Sequence, residues 1–362
     1  MPADALIQGR MIEALRAAVD GYFEIRGIRH NAPFPPFNDA IRLSGRFLID
    51  TERAYDVIAA RAKTAGFLIF FREEDEEPVI YAAMGEMPVT KPNWTLFAIL
   101  LMATVVSVFF VGGYTDHGVD WKAGASFAVP LILILLFHEF GHFLVSRRNR
   151  MSTSPPYFIP LPISIFGTLG AVIVMRAPPK NRKHLFQMAV AGPLGGLILA
   201  IPFLFIGLSL SHVGPAPPPP YIQEGNSIFY LLAKWLVFHQ WLPSNGVDVQ
   251  IHNIAYAAWV GLFITGLNLI PAGQLDGGHV VYTLFGPKVK PLSYAVVGVF
   301  LLFSIKYPGW LLWTALLFFF GRVYAVPMDD LTPLPGKYRL LGYGMMLLLA
   351  LLFTPIPIMF IS

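Results

Sequence analysis

Residues 135–145 read LLFHEFGHFLV. They close a nineteen-residue run, 127–145, in which His138, Glu139 and His142 are the only ionisable side chains. A segment this apolar belongs in lipid, where a charged side chain is costly and, when present, marks function. On a helix, positions i and i+4 share a face, so His138 and His142 aim their imidazoles at one point, the spacing a zinc ion takes. Glu139 sits one step round the helix. It is badly placed as a ligand but well placed to reach a water on the metal, the arrangement of an H-E-x-x-H metallopeptidase. Gly141, with no side chain, leaves room for a substrate or a neighbouring helix. The competing explanation is that the three polar residues only hydrogen-bond within a helix bundle.

The rest of the chain fits a membrane setting. Of 362 residues 55% are hydrophobic and 13% charged, and phenylalanine alone occurs 30 times. That composition excludes an ordinary soluble protein. The net charge of +4 comes from basic residues in short loops beside apolar segments, which orient the chain in the bilayer. No Lys/Arg stripe interleaved with aromatics is present, so nucleic-acid binding is not expected. There are no cysteines, which excludes disulfides, thiol catalysis and thiolate metal sites. The opening MPADALIQGR has neither a basic n-region with an apolar core nor the look of a transit peptide, and no cleaved leader is expected from it.

Residues 1–90 read as a small soluble α+β domain. MIEALRAAVDGYF forms an amphipathic helix, and DTERAYDVIAARAKTAG carries an Asp-Thr cap at its start and a Gly at its end. FNDAIRLSGRFLI and GFLIFFREEDEEPVIYAAMG supply strands, the latter with a turn at EEDEEP. Such a domain is either regulatory or a mere structured extension. Residues 91–125 hold a first span and an outer loop, 126–285 the chemistry-bearing core and 286–362 the C-terminal spans. Spans are expected near 95–113, 126–146, 185–211, 252–270, 291–306, 309–324 and 340–360, about six or seven in all. HVGPAPPPPYIQEGN reads as an extended loop. SIFYLLAKWLVFHQWLP, with Lys234 and His239, reads as interfacial rather than spanning.

Arg147, Arg148 and Arg150 follow the second span, and Lys180, Arg182 and Lys183 precede the third. The positive-inside rule places them, with residues 1–90, in the cytoplasm. YFIPLPISIFGTLGAVIVM, residues 157–175, is apolar yet flanked by basic clusters at both ends, so it should enter the membrane and return. Pro160 and Pro162 disfavour a straight helix, and Gly167 and Gly170 suit a turn between β-like arms. A re-entrant hairpin is expected, with a further helix as the alternative. Backbone of that kind survives at membrane depth only under protein or beside a wet cavity.

A catalytic zinc needs a third protein ligand. NLIPAGQLDGGH, 268–279, offers Asp276 with His279 close behind, although an Asp-Gly-Gly is often a plain turn. The second span runs inward, placing His142 about 24 Å along the helix from Ser126. The span at 252–270 also runs inward and Asp276 lies just past its end, so the two motifs reach similar depth on one side.

These residues resemble the site-2 protease family of intramembrane zinc metalloproteases. The resemblance rests on HEFGH at 138–142, on Asn268 and Pro271 of an N-x-x-P, and on Leu275-Asp276-Gly277. AGPLGG at 191–196 is similar to the family's Gly-Pro motif, and the likeness covers about 95–285. It implies that His138, His142 and Asp276 bind one Zn2+, that Glu139 is the general base activating the water, and that Asn268 holds the substrate carbonyl or its oxyanion. It further implies cleavage of transmembrane protein substrates within the lipid bilayer, in regulated intramembrane proteolysis, with the hairpin pairing with an unwound substrate strand. For Gly192, Pro193 and Gly196, close helix packing is an equal explanation. No PDZ-like or CBS-like insertion is visible. The expected setting is a prokaryotic cell membrane, multi-pass, with the site toward the cytoplasm. The oligomeric state has no sequence signature. Two other readings stand beside this one. A prenyl-protein-type metallopeptidase would take a glutamate as third ligand, and no glutamate lies near a later span. A non-catalytic zinc scaffold would have no need of Glu139.

Overall fold

A computed structural model describes residues 3–87, 91–244 and 246–361. The opening Met-Pro and the expected domain boundary at residue 90 lie outside the described residues. The chain forms two compact units. The first comprises residues 1–90 together with 177–185 and 326–335; the second holds the remainder.

In the first unit, helix α1 (Ala3–Val19) precedes strands β1 (Phe23–Phe34) and β2 (Phe37–Phe47), helix α2 (Thr51–Thr64), and strands β3 (Phe67–Glu74) and β4 (Glu77–Met84). The four strands make one antiparallel sheet in the order β1-β2-β4-β3. Asp50 caps α2, its carboxylate accepting from the amides of Glu52 and Arg53 at 3.0 and 3.3 Å. Ala54, Tyr55, Ile58 and Ala62 then form the buried stripe of α2, against Ile41, Leu43, Ile69, Phe71 and Ile80 of the sheet. Strand β1 was absent from the sequence expectation. Its run FEIRGIRHNAPF is charged and broken by register shifts at Ile25/Gly27 and Arg29/Ala32, so the period-2 pattern is lost. Met328 and Leu331 pack onto the same core. The amide of Phe71 donates to the carbonyl of Met328 at 2.9 Å, so residues 328–330 extend the sheet beyond β3.

The second unit is mostly helical: α3 (Trp94–Gly113), the two-residue strands β5 (Tyr114–Thr115) and β6 (Gly118–Val119), α4 (Trp121–Arg148), the hairpin strands β7 (Tyr157–Pro160) and β8 (Thr168–Val172), and α5 (Arg182–Ser209), whose first turn belongs to the first unit. There follow β9 (His212–Pro215), β10 (Tyr221–Glu224), α6 (Ile228–Phe238), β11 (Val247–Gln250), α7 (Asn253–Asn268), α8 (Asp276–Phe285), α9 (Lys290–Lys306), α10 (Trp310–Phe320), α11 (Gly336–Leu352) and β12 (Ile358–Ile361). Among the described residues, four stretches are long and apolar enough to cross a membrane: α3, α4, α5 and the run Asp276–Lys306, in which the 3-10 turn Gly286–Val289 joins α8 to α9. The Pro-rich stretch is not wholly irregular, for β9 pairs with β11 and β10 with β12. Lys234 of α6 is fully buried, its ammonium 3.4 Å from Asp248.

A cavity of about 650 Å3 lies where the start of α4 (Asp120, Lys122, Ser126), Leu210 after α5 and the start of α7 (His252, Asn253) meet β9, β10 and β11.

Candidate metal centre

The HEFGH sequence lies in the C-terminal half of α4, with His138, Glu139 and His142 all buried. The helix delivers both imidazoles to one side, ring centroids 5.0 Å apart. What lets a second helix approach them is glycine. A Cβ on Gly141 would lie 2.3 Å from the carbonyl oxygen of Ala191, and one on Gly195 would lie 2.5 Å from that of Phe137. Helices α4 and α5 therefore meet backbone to backbone. Of the two uses expected for Gly141, admission of a neighbouring helix is the one observed.

That close approach orients the histidines. Nδ1 of His142 lies 2.8 Å from the carbonyl oxygen of Met188, which only accepts, so the Nδ1 proton is fixed there and Nε2 presents its lone pair. A Cβ on Gly192 would come within 1.9 Å of the same Nε2, and one on Gly196 within 3.3 Å of Nδ1 of His138. Gly192 lets the imidazole of His142 lie against the backbone of α5. Met188 went unnoticed in the sequence because a backbone carbonyl has no side-chain signature.

Helix α7 ends at Asn268, whose Nδ2 is 3.3 Å from Nε2 of His138. The chain then turns tightly into α8. Cβ atoms on Gly277 and Gly278 would stand 1.8 Å from the carbonyl oxygen of Leu269 and 2.3 Å from that of Gly273. The Asp-Gly-Gly is thus a helix start pressed onto the preceding loop, not a free turn. Asp276 occupies the first position of α8, where the helix dipole favours a carboxylate.

His138, His142 and Asp276 converge, their ligand atoms all within 4.8 Å of one another. Oδ2 of Asp276 is 3.3 Å from Nε2 of His138 and 3.3 Å from Nε2 of His142. A charge-assisted hydrogen bond would close to about 2.7–2.9 Å. Two donors held about 2.05 Å from a tetrahedral zinc are separated by about 3.3 Å. The spacing is that of ligands around an ion, and the donor set of two imidazoles and one carboxylate suits Zn2+. His279, one turn along α8, is buried with Nδ1 unpartnered among the described residues, but it stands outside this group.

The model of Peptidase family M50 matches residues 126–305. Among curated proteins, the chain is 26% identical over 348 residues to a probable zinc metalloprotease EGY2, chloroplastic, of Oryza sativa subsp. indica, covering 90% of this chain and 63% of that one. It is 30% identical over 251 residues to the Arabidopsis thaliana protein of the same name, covering 66% and 43%. It is 32% identical over 169 residues to probable zinc metalloprotease EGY1, chloroplastic, of Arabidopsis thaliana, covering 45% and 30%. The chain therefore spans between about two fifths and two thirds of the length of the EGY2 proteins. These relatives are plant proteins named as chloroplastic and lend no support to a prokaryotic setting. No solved structure matches.

Proposed function

Because the chain belongs to peptidase family M50, the site-2 protease family, we propose that it is a zinc-dependent endopeptidase cutting transmembrane protein substrates at or within the bilayer. The observation that carries this reading is the 3.3 Å spacing of Asp276 Oδ2 from both imidazoles, on helices that are long and apolar. His138, His142 and Asp276 would hold the ion. Bound zinc polarises a carbonyl and brings a water's pKa down to about 7. Glu139, buried beside these three residues, would act as the general base, accepting a proton from the attacking water and returning one to the leaving amine. The amide of Asn268, 3.3 Å from His138 Nε2, donates to the substrate carbonyl oxygen as it gains charge. Residues 168–172 of β8 offer an edge on which an unwound substrate segment can extend, since β8 pairs only with β7 among the described strands.

Two contacts support the topology. Residues at the start of α4, just after α5 and at the start of α7 line one cavity, so an even number of crossings separates them. Helices α4 and α5 supply two, which supports a β7–β8 hairpin that returns to the side it came from. Strand β10 pairs with β12, so the crossings between them are also even; α7, α8–α9, α10 with its extensions and α11 supply four. With α3 the total is seven. The basic loops at 147–150 and 180–183 put the HEFGH end of α4 on the cytoplasmic side, or its equivalent.

The test is a reporter membrane protein incubated with wild type and with Glu139→Gln after metal analysis. Both proteins should carry about one zinc, and the variant should lose at least about 10²-fold in cleavage rate. Equal cutting by both would remove the assigned base.

A further inference from the structure

On the face of the second unit opposite the metal centre, the 650 Å3 cavity has a wall built around a buried charge network that the proteolytic mechanism does not use. Lys234 is fully buried; its ammonium lies 3.4 Å from Asp248 Oδ1 and 4.8 Å over the Tyr230 ring. Asp248 is pinned by Gln223 Nε2 at 2.7 Å and by the amide of Val249 at 2.7 Å. The Tyr230 hydroxyl donates to Glu224 Oε1 at 2.9 Å, and Glu224 is 9% exposed. Glu224 and Asp248 both line the cavity, and the single ammonium behind the wall is bonded to Asp248. Asp120 and Lys122 also line the cavity, the Asp120 carboxylate accepting from the amides of Lys122 and Ala123 at 2.8 and 3.0 Å. The lining thus holds three carboxylates against two ammonium groups, one of them behind the wall, and Glu224, whose carboxyl pKa is pushed up by burial, is bonded to the Tyr230 hydroxyl instead of an ammonium. A volume of this size accepts a long side chain with its flanking backbone.

We propose that this cavity is a subsite for a Lys or Arg side chain on the outer flank of the substrate, the segment that leaves the bilayer on the side away from the metal centre. The proposal rests on the proteolytic reading. Position argues for a substrate flank and not for a free cation. The cavity sits at the far ends of α4 and α7, the helices that carry His138 and Asn268. From Ser126 to His138 is about 18 Å along α4, and from Asn253 to Asn268 about 22 Å along α7. A substrate crossing that distance uses about six residues if extended and about fifteen if helical. The recognised cation therefore lies between about six and fifteen residues from the scissile bond.

Two measurements decide it. In the first, wild type cuts reporter membrane proteins that differ only in carrying Lys, Gln or Glu at one outer-flank position. Lys should lower KM about tenfold relative to Gln with kcat unchanged, as expected for an interaction made equally in ground and transition states. In the second, a soluble outer-flank peptide with Lys or Gln is titrated onto Glu139→Gln protein and followed by fluorescence anisotropy, so catalysis plays no part. The Lys peptide should bind about tenfold more tightly. Glu224→Gln should erase both preferences. Because that change also touches the Tyr230 bond, Ile222→Lys serves as a second variant. It places a cation at the cavity from an exposed side chain outside the network, and should erase them too while leaving the melting temperature unchanged. Equal KM values for all three flanks, or equal binding of both peptides, overturns the subsite. If no reporter is cut in a zinc-dependent way, the proteolytic reading fails instead, and the peptide titration still decides whether the cavity takes a cation.

Discussion

A single methyl group at position 192 would push the His142 imidazole out of its place. Its carbon would lie 1.9 Å from His142 Nε2, closer than any non-bonded contact allows, and α5 cannot retreat because Gly141 and Gly195 already hold it against α4 backbone to backbone. Gly192→Ala should therefore lose most of its zinc, from about one per chain toward none, as read by elemental analysis of purified protein. Gly196→Ala, whose Cβ would meet His138 at a tolerable 3.3 Å, should keep at least half. Gly298→Ala, which meets nothing within 4 Å, should match wild type. If Gly192→Ala retains full zinc, the packing account of the Gly-rich stretch is wrong. At this scale the sequence was informative where chemistry resides in side chains. Helical spacing singles out His138 and His142, and Asp276 is the acid expected at similar depth; the structure brings the three within 4.8 Å of one another. The Met188 carbonyl that fixes the His142 tautomer had no such mark.

Elements bring these residues together, and the β7–β8 hairpin shows how one is held. The loop at its tip is latched to α3: the Ser107 hydroxyl donates to the carbonyl of Gly167 at 2.6 Å. Gly167 itself has φ of 74°, and a Cβ there would stand 2.7 Å from the Cα of Val108. Only glycine combines that backbone conformation with that approach. Ser107→Ala removes one of the two donors to that carbonyl, which still accepts from the Leu161 amide at 3.0 Å, at a cost of about 0.5–1.5 kcal/mol. It should lower the melting temperature slightly and raise KM for a membrane reporter. Gly167→Ala should do both more severely, with zinc content unchanged in each, because neither residue belongs to the His138, His142 and Asp276 group. Loss of zinc in either variant would show that the hairpin supports the centre and not only the substrate. Proline and paired glycines made the hairpin legible in the sequence. Strand β1 was not, since charge and bulges erased its alternation. Helix α8 was hidden because its two glycines signal a turn, while the structure uses them to press a helix start onto the preceding loop.

Across the whole molecule, the first unit does not coincide with a stretch of sequence. Its sheet ends at β3, whose edge at Phe71 is completed by Met328 and Asp330. Residues 179–181 add to the far side of that segment, the amides of Met328 and Asp329 donating at 2.8 Å to the carbonyls of Pro179 and Lys180. Side chains close the seam. Arg72 donates to the carbonyls of Pro327 and Met328 at 2.8 and 3.0 Å, Arg182 to Asp330 at 2.9 Å, Thr51 bonds Thr332 at 2.8 Å, and Lys180 pairs with Asp56. Such short loop segments carry no periodic pattern, so sequence reading assigns them to the membrane region that surrounds them. Residues 1–90 expressed alone would leave the β3 edge unpaired and uncover the core that Met328 and Leu331 close. Each of those two side chains contributes roughly 0.75–1.5 kcal/mol when half buried. Joining residues 177–185 and 326–335 to residues 1–90 through flexible Gly/Ser linkers should raise the melting temperature by about 5–10 °C or more, given about 4–8 °C per kcal/mol for a domain of this size. It should also convert a self-associating protein to a monomer in size-exclusion chromatography. The same fusion with Met328→Asp and Leu331→Asp should gain nothing. A lone 1–90 fragment as stable and as monodisperse as the fusion would mean that the domain is complete without its borrowed strand.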